Sequence, residues 1–95
     1  MSEIYKAVYD VLSHYDWKSG LQVWYETVAK LGTAGTWKEP SIGGVYITLD
    51  NLVEKDYAGT TLMKRDFTRP NGVKSQERVV QHYKLTELGL RNRVE

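Results

Sequence analysis

The chain has 95 residues, 41 % of them hydrophobic and 26 % charged, with a formal net charge of +1, which fits one domain, residues 1–95, around a single apolar core. The absence of cysteine excludes disulfides, thiolate metal sites and a cysteine nucleophile. No apolar run of about 18 residues and no signal-peptide pattern is present, so we expect a cytoplasmic protein that does not enter a membrane.

Two amphipathic helices are predicted in the first third of the chain. Ser2 can cap the first, which we expect from Glu3 to Tyr15 because apolar residues recur there at helical spacing. Ser19 can cap the second, and Gly32 can end it in a left-handed conformation. Three tryptophans in or beside this region either seal the small core or form a site for a small aromatic ligand. They are Trp17, Trp24 and Trp37.

A third helix is predicted after Pro40, with Ser41 as its cap. Six apolar side chains recur at spacings of three and four residues, so on a helical wheel they share one arc, the predicted core face. These residues are Ile42, Val45, Tyr46, Leu49, Leu52 and Val53. The opposite arc is predicted to be exposed and carries mostly small or hydrogen-bonding residues, namely Gly44, Ile47, Thr48 and Asn51.

A β-hairpin is predicted in the last third of the chain. The segments 58–67 and 78–85 are rich in β-formers and flank a long basic stretch that contains the turn signal Asn71-Gly72. Thr86 can then cap a short C-terminal helix. Three helices followed by a two-stranded hairpin wing and a short helix define an α+β domain with the layout of a winged helix-turn-helix protein.

Charge is unevenly distributed along the chain. Residues 1–63 contain five Lys and eight Asp or Glu, a balance of −3, whereas residues 64–84 contain six Lys or Arg and two acidic residues, a balance of +4. The last eleven residues balance to zero. A short basic region is typical of a protein that binds a polyanion. The alternative is a solvated charged hairpin that protects a sheet edge from aggregation.

Two stretches resemble the PadR-like group of winged-helix transcriptional regulators: SIGGVYITLDNLVEKDY at 41–57 and HYKLTELG at 82–89. In the first, the residues that match the recognition-helix motif of the group are Ser41, Gly43, Val45, Tyr46, Leu49, Leu52 and Lys55. In the second, where the last wing strand leads into the next helix, they are Tyr83, Leu85, Thr86 and Gly89. Asp56 stands where the group usually has a glycine, and we expect it to keep the left-handed turn.

The resemblance implies a sequence-specific transcriptional regulator, a repressor, that binds double-stranded DNA with its third helix in the major groove. Thr48, Asn51 and Ile47 are expected to meet base edges, and Ser41 and Gly44 to let the helix N-terminus approach the phosphates. The wing is expected to contact phosphates or a minor groove through Lys64, Arg65, Arg69, Lys74 and Arg78. The group dimerises through a longer C-terminal helix, so a homodimer here would depend on the first helix and the nine residues after Thr86.

An enzyme is not expected. His14 and His82 have no spacing typical of a metal site or of a nucleophile and its base. Gly43 and Gly44 lack the lysine that follows in a phosphate-binding loop, and no cofactor is predicted. The alternative to DNA binding is a winged-helix module that binds another protein, which the acidic first 63 residues, Ile47 and the short tail would suit.

Overall fold

The structure, a computed structural model, describes residues 3–64, 72 and 78–93. These residues form four helices and three strands, which confirms the α+β class. In chain order the elements are α1 (Glu3–Val11), β1 (Lys18–Ser19), α2 (Gly20–Leu31), α3 (Ile42–Glu54), β2 (Ala58–Lys64), β3 (Val79–Leu85) and α4 (Glu87–Arg91). Among the described residues, no helix combines the length and the apolar character needed to cross a membrane.

The strands form one antiparallel sheet in the order β1-β3-β2. β2 and β3 pair along their full length, from Ala58 opposite Leu85 to Lys64 opposite Val79, which confirms the predicted hairpin strands. The expected number of two strands is wrong, because the two residues of β1 also pair with β3. A strand of two residues shows no alternation by which its sequence could be recognised.

The tip of the hairpin lies outside the described residues, apart from Gly72, whose backbone φ is 84°. The predicted turn at Asn71 therefore stays a prediction. The same holds for the placement of Arg65, predicted on the first strand, and of Arg69 and Lys74, predicted in the tip. The part of the hairpin that the structure describes is its pair of strands.

The first helix is shorter than expected, because it ends at Val11 and not at Tyr15. Two residues later, the carbonyl oxygen of Ser13 accepts a hydrogen bond from the N–H of Leu85, 2.8 Å away. The hydroxyl of Ser13 accepts hydrogen bonds from the N–H groups of Tyr15 and Asp16. A serine that bonds nearby backbone in this way competes with helical hydrogen bonding. The chain leaves the helix because this segment is held against the end of β3.

Five predicted positions at helix ends are confirmed. The hydroxyl groups of Ser19, Ser41 and Thr86 each accept a hydrogen bond from the N–H three residues further on, at 3.1, 2.9 and 3.0 Å. These bonds satisfy N–H groups that the helix itself cannot pair. Gly32 and Asp56 are left-handed, with φ values of 67° and 61°. Asp56 therefore replaces glycine without loss of the turn that leads from α3 into β2.

The core lies between α1, α2, α3 and one face of the sheet. Its fully buried aliphatic side chains each stabilise the fold by about 1.5–3 kcal/mol, and they are Val8, Leu12, Val23, Val45, Leu49, Leu52 and Leu85. The hydroxyl of Tyr9 donates to the carbonyl oxygen of Gly89 at 2.5 Å, which joins α1 to α4. This bond and the burial of Gly89 fix the short last helix against the rest of the domain.

Gly89→Ala is expected to destabilise the protein by about 1–3 kcal/mol. A β-carbon at this position would collide with the backbone carbonyl of Tyr57, which cannot move aside as a flexible side chain can. Urea unfolding followed by tryptophan fluorescence measures the loss. Gly43→Ala is the matched control, because a β-carbon there meets nothing within 4 Å, and a gain of up to about 1 kcal/mol is expected. Equal stability of the two variants would contradict the packing of α4 against Tyr57.

Candidate nucleic-acid interface

The N-terminus of α3 is held in place by its cap and by the end of the preceding loop. The hydroxyl of Ser41 accepts a hydrogen bond from the N–H of Gly44 at 2.9 Å. The indole Nε1 of Trp24, on α2, donates to the carbonyl oxygen of Pro40 at 2.9 Å. α2 therefore fixes the point at which α3 begins. Ser41, Ile42 and Gly43 are exposed, so the first turn presents two small residues and one aliphatic side chain to solvent beside its N–H groups.

One side of α3 is open to solvent, as predicted for Ile47 and Asn51. Ile47 is 65 % exposed, and Gly44 lies half-buried at the edge of this side. We define the outer face of α3 as the exposed residues of this side, which are Gly43, Ile47, Asp50, Asn51 and Glu54. The outer face is thus small or apolar toward its N-terminal end and carries two carboxylates toward its C-terminal end.

Two residues of α3 lie where they were not predicted. Thr48 is only 8 % exposed, because it follows Val45 by three residues and precedes Leu52 by four, on the buried ridge of the helix. Its hydroxyl donates to the carbonyl oxygen of Gly44 at 3.0 Å, so the predicted place of Thr48 on the exposed arc is wrong. Ile42, predicted in the core, is 43 % exposed. It occupies the first turn, where fewer neighbours cover a side chain.

Tyr83 of β3 belongs to the same buried core as the apolar side chains of α3. Burial raises the pKa of the Tyr83 phenol to about 12, and repulsion of its phenolate by Asp50 and Tyr46 adds to this rise. A hydrogen bond with Thr60 acts in the opposite direction. A carboxylate of the outer face therefore acts electrostatically on a buried phenol of β3.

Beyond the core, the hairpin carries exposed apolar side chains that were not predicted from the sequence. Leu62 and Val79 are 62 % and 63 % exposed. Paired residues of an antiparallel sheet share a face with every second residue along each strand. Leu62 and Val79 therefore lie on the same face as Ala58 and Tyr83, which belong to the core. The alternation along β2 and β3 is the signal that would have identified them.

The uncovered part of this hairpin, residues 62–64 and 78–79, is called the hairpin arm below. Lys64 and Arg78 lie at its end and are exposed, and their contact with phosphates stays a prediction. Lys84 lies on the face of the sheet opposite Leu62 and Val79, with its Nζ 4.7 Å from the ring centroid of Trp17. The outer face of α3 contains no basic residue, so the exposed cations of this part of the chain lie outside it: Lys64 and Arg78 on the hairpin arm, Lys38 in the loop before α3 and Lys55 at its C-terminal end.

The three tryptophans have separate environments. The indole of Trp24 is partly buried and bonded to the loop before α3, and that of Trp17 packs under Lys84. Both help to seal the domain, as expected. Trp37 is 89 % exposed and therefore does not cover the core. With this indole in solvent, the three tryptophans do not enclose a common site for the predicted aromatic ligand.

The two histidines bond to backbone carbonyl groups. Nδ1 of His14 donates to the carbonyl oxygen of Leu85 at 3.0 Å. Nδ1 of His82 donates to the carbonyl oxygen of Val80 at 2.9 Å. Within residues 3–64, 72 and 78–93, no group of three or more His, Asp or Glu side chains is placed to hold a metal ion. Both rings therefore take part in holding β3 and the loop beside it.

Comparisons of the chain with protein-family models, with curated proteins and with solved structures gave no significant match. Three surfaces of the molecule offer groups that could bind a partner: the N-terminus of α3, its outer face and the hairpin arm. Together they combine backbone N–H groups, one amide side chain, apolar surface and two exposed cations.

The free energy of unfolding is expected to fall between pH 10 and pH 12 as a result of Tyr83. Its pKa rises from the ordinary 10.0 to about 12 in the folded protein, so the unfolded chain loses this proton first. Over this interval the unfolded state binds fewer protons, and stability declines with rising pH. The contribution is complete below pH 10 and lost as the pH passes 12. Urea unfolding at several pH values measures it, and Tyr83→Phe should make the decline shallower.

Asp50→Asn is the control for the cause of this shift. Removing the carboxylate should lower the pKa of Tyr83, since repulsion of the phenolate by Asp50 contributes to the rise. Ultraviolet absorbance of tyrosinate during a pH titration, with Tyr83→Phe as the reference, follows this one group. An identical titration of Tyr83 in the variant would show that Asp50 does not lie beside β3.

Proposed function

We propose that the protein is a winged-helix transcriptional regulator that binds double-stranded DNA, with α3 in the major groove and the hairpin as the wing. The order of elements supports this, because α2 and α3 are followed by the β2–β3 hairpin. One observation carries the proposal: the hairpin arm, with exposed Lys64 and Arg78, extends from the sheet against which α3 packs. A duplex laid against α3 would therefore meet basic side chains at the same time.

In this proposal α3 supplies the base contacts. Its N-terminus, with Ser41 and two glycines, admits a phosphate close to the free N–H groups and the positive end of the helix dipole. On the outer face, the Asn51 amide fits an adenine edge, and Ile47 offers an aliphatic surface to a thymine methyl group. Thr48 takes no part, because its hydroxyl is bonded within the helix.

Two carboxylates on the outer face, Asp50 and Glu54, oppose DNA binding because they repel phosphates. Both lie in the second half of α3, whereas a recognition helix presents mainly its N-terminal residues to the bases. The wing offsets this repulsion, since the sequence predicts three further basic residues in it: Arg65 on the first strand and Arg69 and Lys74 in the tip. Affinity would then come mainly from the wing and sequence preference from the helix.

A protein of this kind would act in the cytoplasm and repress transcription by occupying an operator. A homodimer would place two copies of α3 on two half-sites. α4 has five residues and leaves Leu88 and Leu90 exposed by 40 % and 42 %. These leucines lie on the helix that Tyr9 joins to α1, which gives the proposed homodimer an apolar surface at that side of the domain.

A second candidate function is binding to another protein through the same surfaces. It is favoured by the apolar side chains Ile47, Leu62 and Val79, each more than three-fifths exposed. The neighbouring carboxylates of Asp50 and Glu54 would complement a basic rim on such a partner. Exposed apolar residues beside charged ones are typical of protein interfaces.

Labelled duplex DNA is expected to bind, with log affinity falling linearly with log salt by about 0.9 for each phosphate neutralised. Arg78→Ala should weaken binding at low salt and reduce this slope by about 0.9, because Arg78 is exposed at the end of the hairpin arm. Fluorescence anisotropy at several salt concentrations measures both quantities. Arg91→Ala, which removes an exposed arginine from α4, should leave the slope unchanged. Absence of binding even at low salt would rule out the DNA function.

Ile47→Ala distinguishes the two candidate functions. Because Ile47 is 65 % exposed, the free energy of unfolding should change by less than about 0.5 kcal/mol. If Ile47 meets a base, the variant should lose affinity for a duplex selected from a random pool but not for unselected DNA. Tyr15→Ala, which truncates a side chain that is 84 % exposed in the loop after α1, is the control and should bind both as the wild type does. Unchanged binding of Ile47→Ala to the selected duplex would favour a protein partner for this face.

A further inference from the structure

The loop between α2 and α3 holds a tryptophan out in solvent. Trp37 is 89 % exposed, although it has one of the largest apolar surfaces of any side chain. Scattered exposed apolar residues are ordinary, but this indole comes only four residues before Ser41, the cap of α3. Its position next to the proposed DNA-binding surface makes its exposure relevant to function.

The loop is ordered by its own hydrogen bonds. The N–H and the hydroxyl of Thr36 both donate to the carbonyl oxygen of Thr33, at 3.1 and 2.7 Å. The Thr36 carbonyl oxygen accepts from the N–H of Glu39 at 3.1 Å, and the Thr36 hydroxyl accepts from the N–H of Lys38 at 3.2 Å. These bonds lie on both sides of Trp37. Its backbone is therefore held before any partner arrives, which lowers the entropy lost on binding.

The two charged side chains that follow Trp37 in this loop have different partners. The ammonium Nζ of Lys38 lies 5.2 Å from the centroid of the Trp37 ring. The carboxylate of Glu39 turns back to the loop and accepts a hydrogen bond from the N–H of Gly35 at 3.1 Å. The exposed indole is thus accompanied by a cation, while the carboxylate of Glu39, two residues further along the chain, is engaged by the backbone.

We propose that Trp37 and Lys38 form a separate contact with duplex DNA beside the N-terminus of α3. The indole would pack against the sugar-phosphate backbone, and the ammonium group would neutralise a phosphate. An apolar ring next to a cation suits this backbone, where deoxyribose faces alternate with phosphates. If Trp37 instead entered a pocket on a protein partner, the indole would be used but the neighbouring Lys38 ammonium would not be required.

This inference rests on the proposed DNA-binding function and extends its footprint. Four residues of chain span at most about 14 Å, or about four base pairs at 3.4 Å each. The contact would therefore fall on the duplex immediately outside the bases that α3 meets. Since backbone contacts carry no sequence information directly, it should raise affinity for selected and unselected duplexes alike.

Trp37→Ala is expected to weaken duplex binding about tenfold in anisotropy titrations, with an unchanged salt slope because no charge is removed. Lys38→Ala should reduce the slope by about 0.9. Trp37→Phe keeps an aromatic face and should recover part of the affinity. DNA should also alter the tryptophan emission of the wild type more than that of Trp37→Phe, because Trp37 is the most exposed indole.

Tyr15→Ala is the matched control, since Tyr15 is another aromatic residue, 84 % exposed, in the loop beside the end of β3 that lies farthest from the hairpin arm. It should bind DNA as the wild type does. Urea unfolding should show that Trp37→Ala is as stable as the wild type, given its exposure. If Trp37→Ala binds duplex normally while Arg78→Ala binds weakly, the inference is overturned and the DNA function stands. If the wild type binds no duplex at low salt, both are overturned.

Discussion

The packing of one ridge of α3 against the core is the constraint on which the rest of the structure depends. Because a helix turns by about 100° per residue, the choice of the buried ridge also selects the exposed one. The ridge that includes Val45 and Leu52 also includes Thr48, and the domain buries this hydroxyl at little cost because Gly44 accepts its hydrogen bond. Ile47 and Asn51 are therefore the residues left to meet a partner.

The end of α3, the base of the hairpin and the start of α4 meet in one hydrogen-bonded joint. The N–H of Tyr57 donates to the Leu52 carbonyl oxygen at 2.9 Å, and its own carbonyl accepts from the N–H of Thr86 at 3.1 Å. The Thr86 hydroxyl donates to the carbonyl oxygen of Asp56 at 2.6 Å. This joint fixes the C-terminal end of α3 relative to the base of the hairpin. A partner that binds both elements would meet this part of them already ordered, which lowers the entropic cost of binding.

Charge is divided between α3 and the hairpin. α3 contributes an amide, apolar side chains and two carboxylates, whereas the hairpin contributes Lys64 and Arg78. In a DNA complex this division would give the wing most of the salt-dependent affinity and the helix the discrimination between bases. In a protein complex the apolar residues would supply the energy and the charges the orientation. The salt dependence of binding is therefore the property in which the two functions differ most.

Local features could be predicted from residue types and their spacing: the helix caps at Ser19, Ser41 and Thr86, the left-handed turn at Asp56, and the pairing strands of the hairpin. They depend on interactions within a few residues or on clear periodicity. The rotation of α3 about its axis, the end of α1 and the third strand could not be predicted in this way. Each of these depends on contacts between distant parts of the chain, since β3 captures the segment after α1 and the ridge of α3 is chosen by what packs against it. A helical wheel shows which residues lie on the same side of a helix. It does not show which residues at the border between the two sides are covered by neighbouring elements. For this reason Thr48 was predicted to be exposed but is buried.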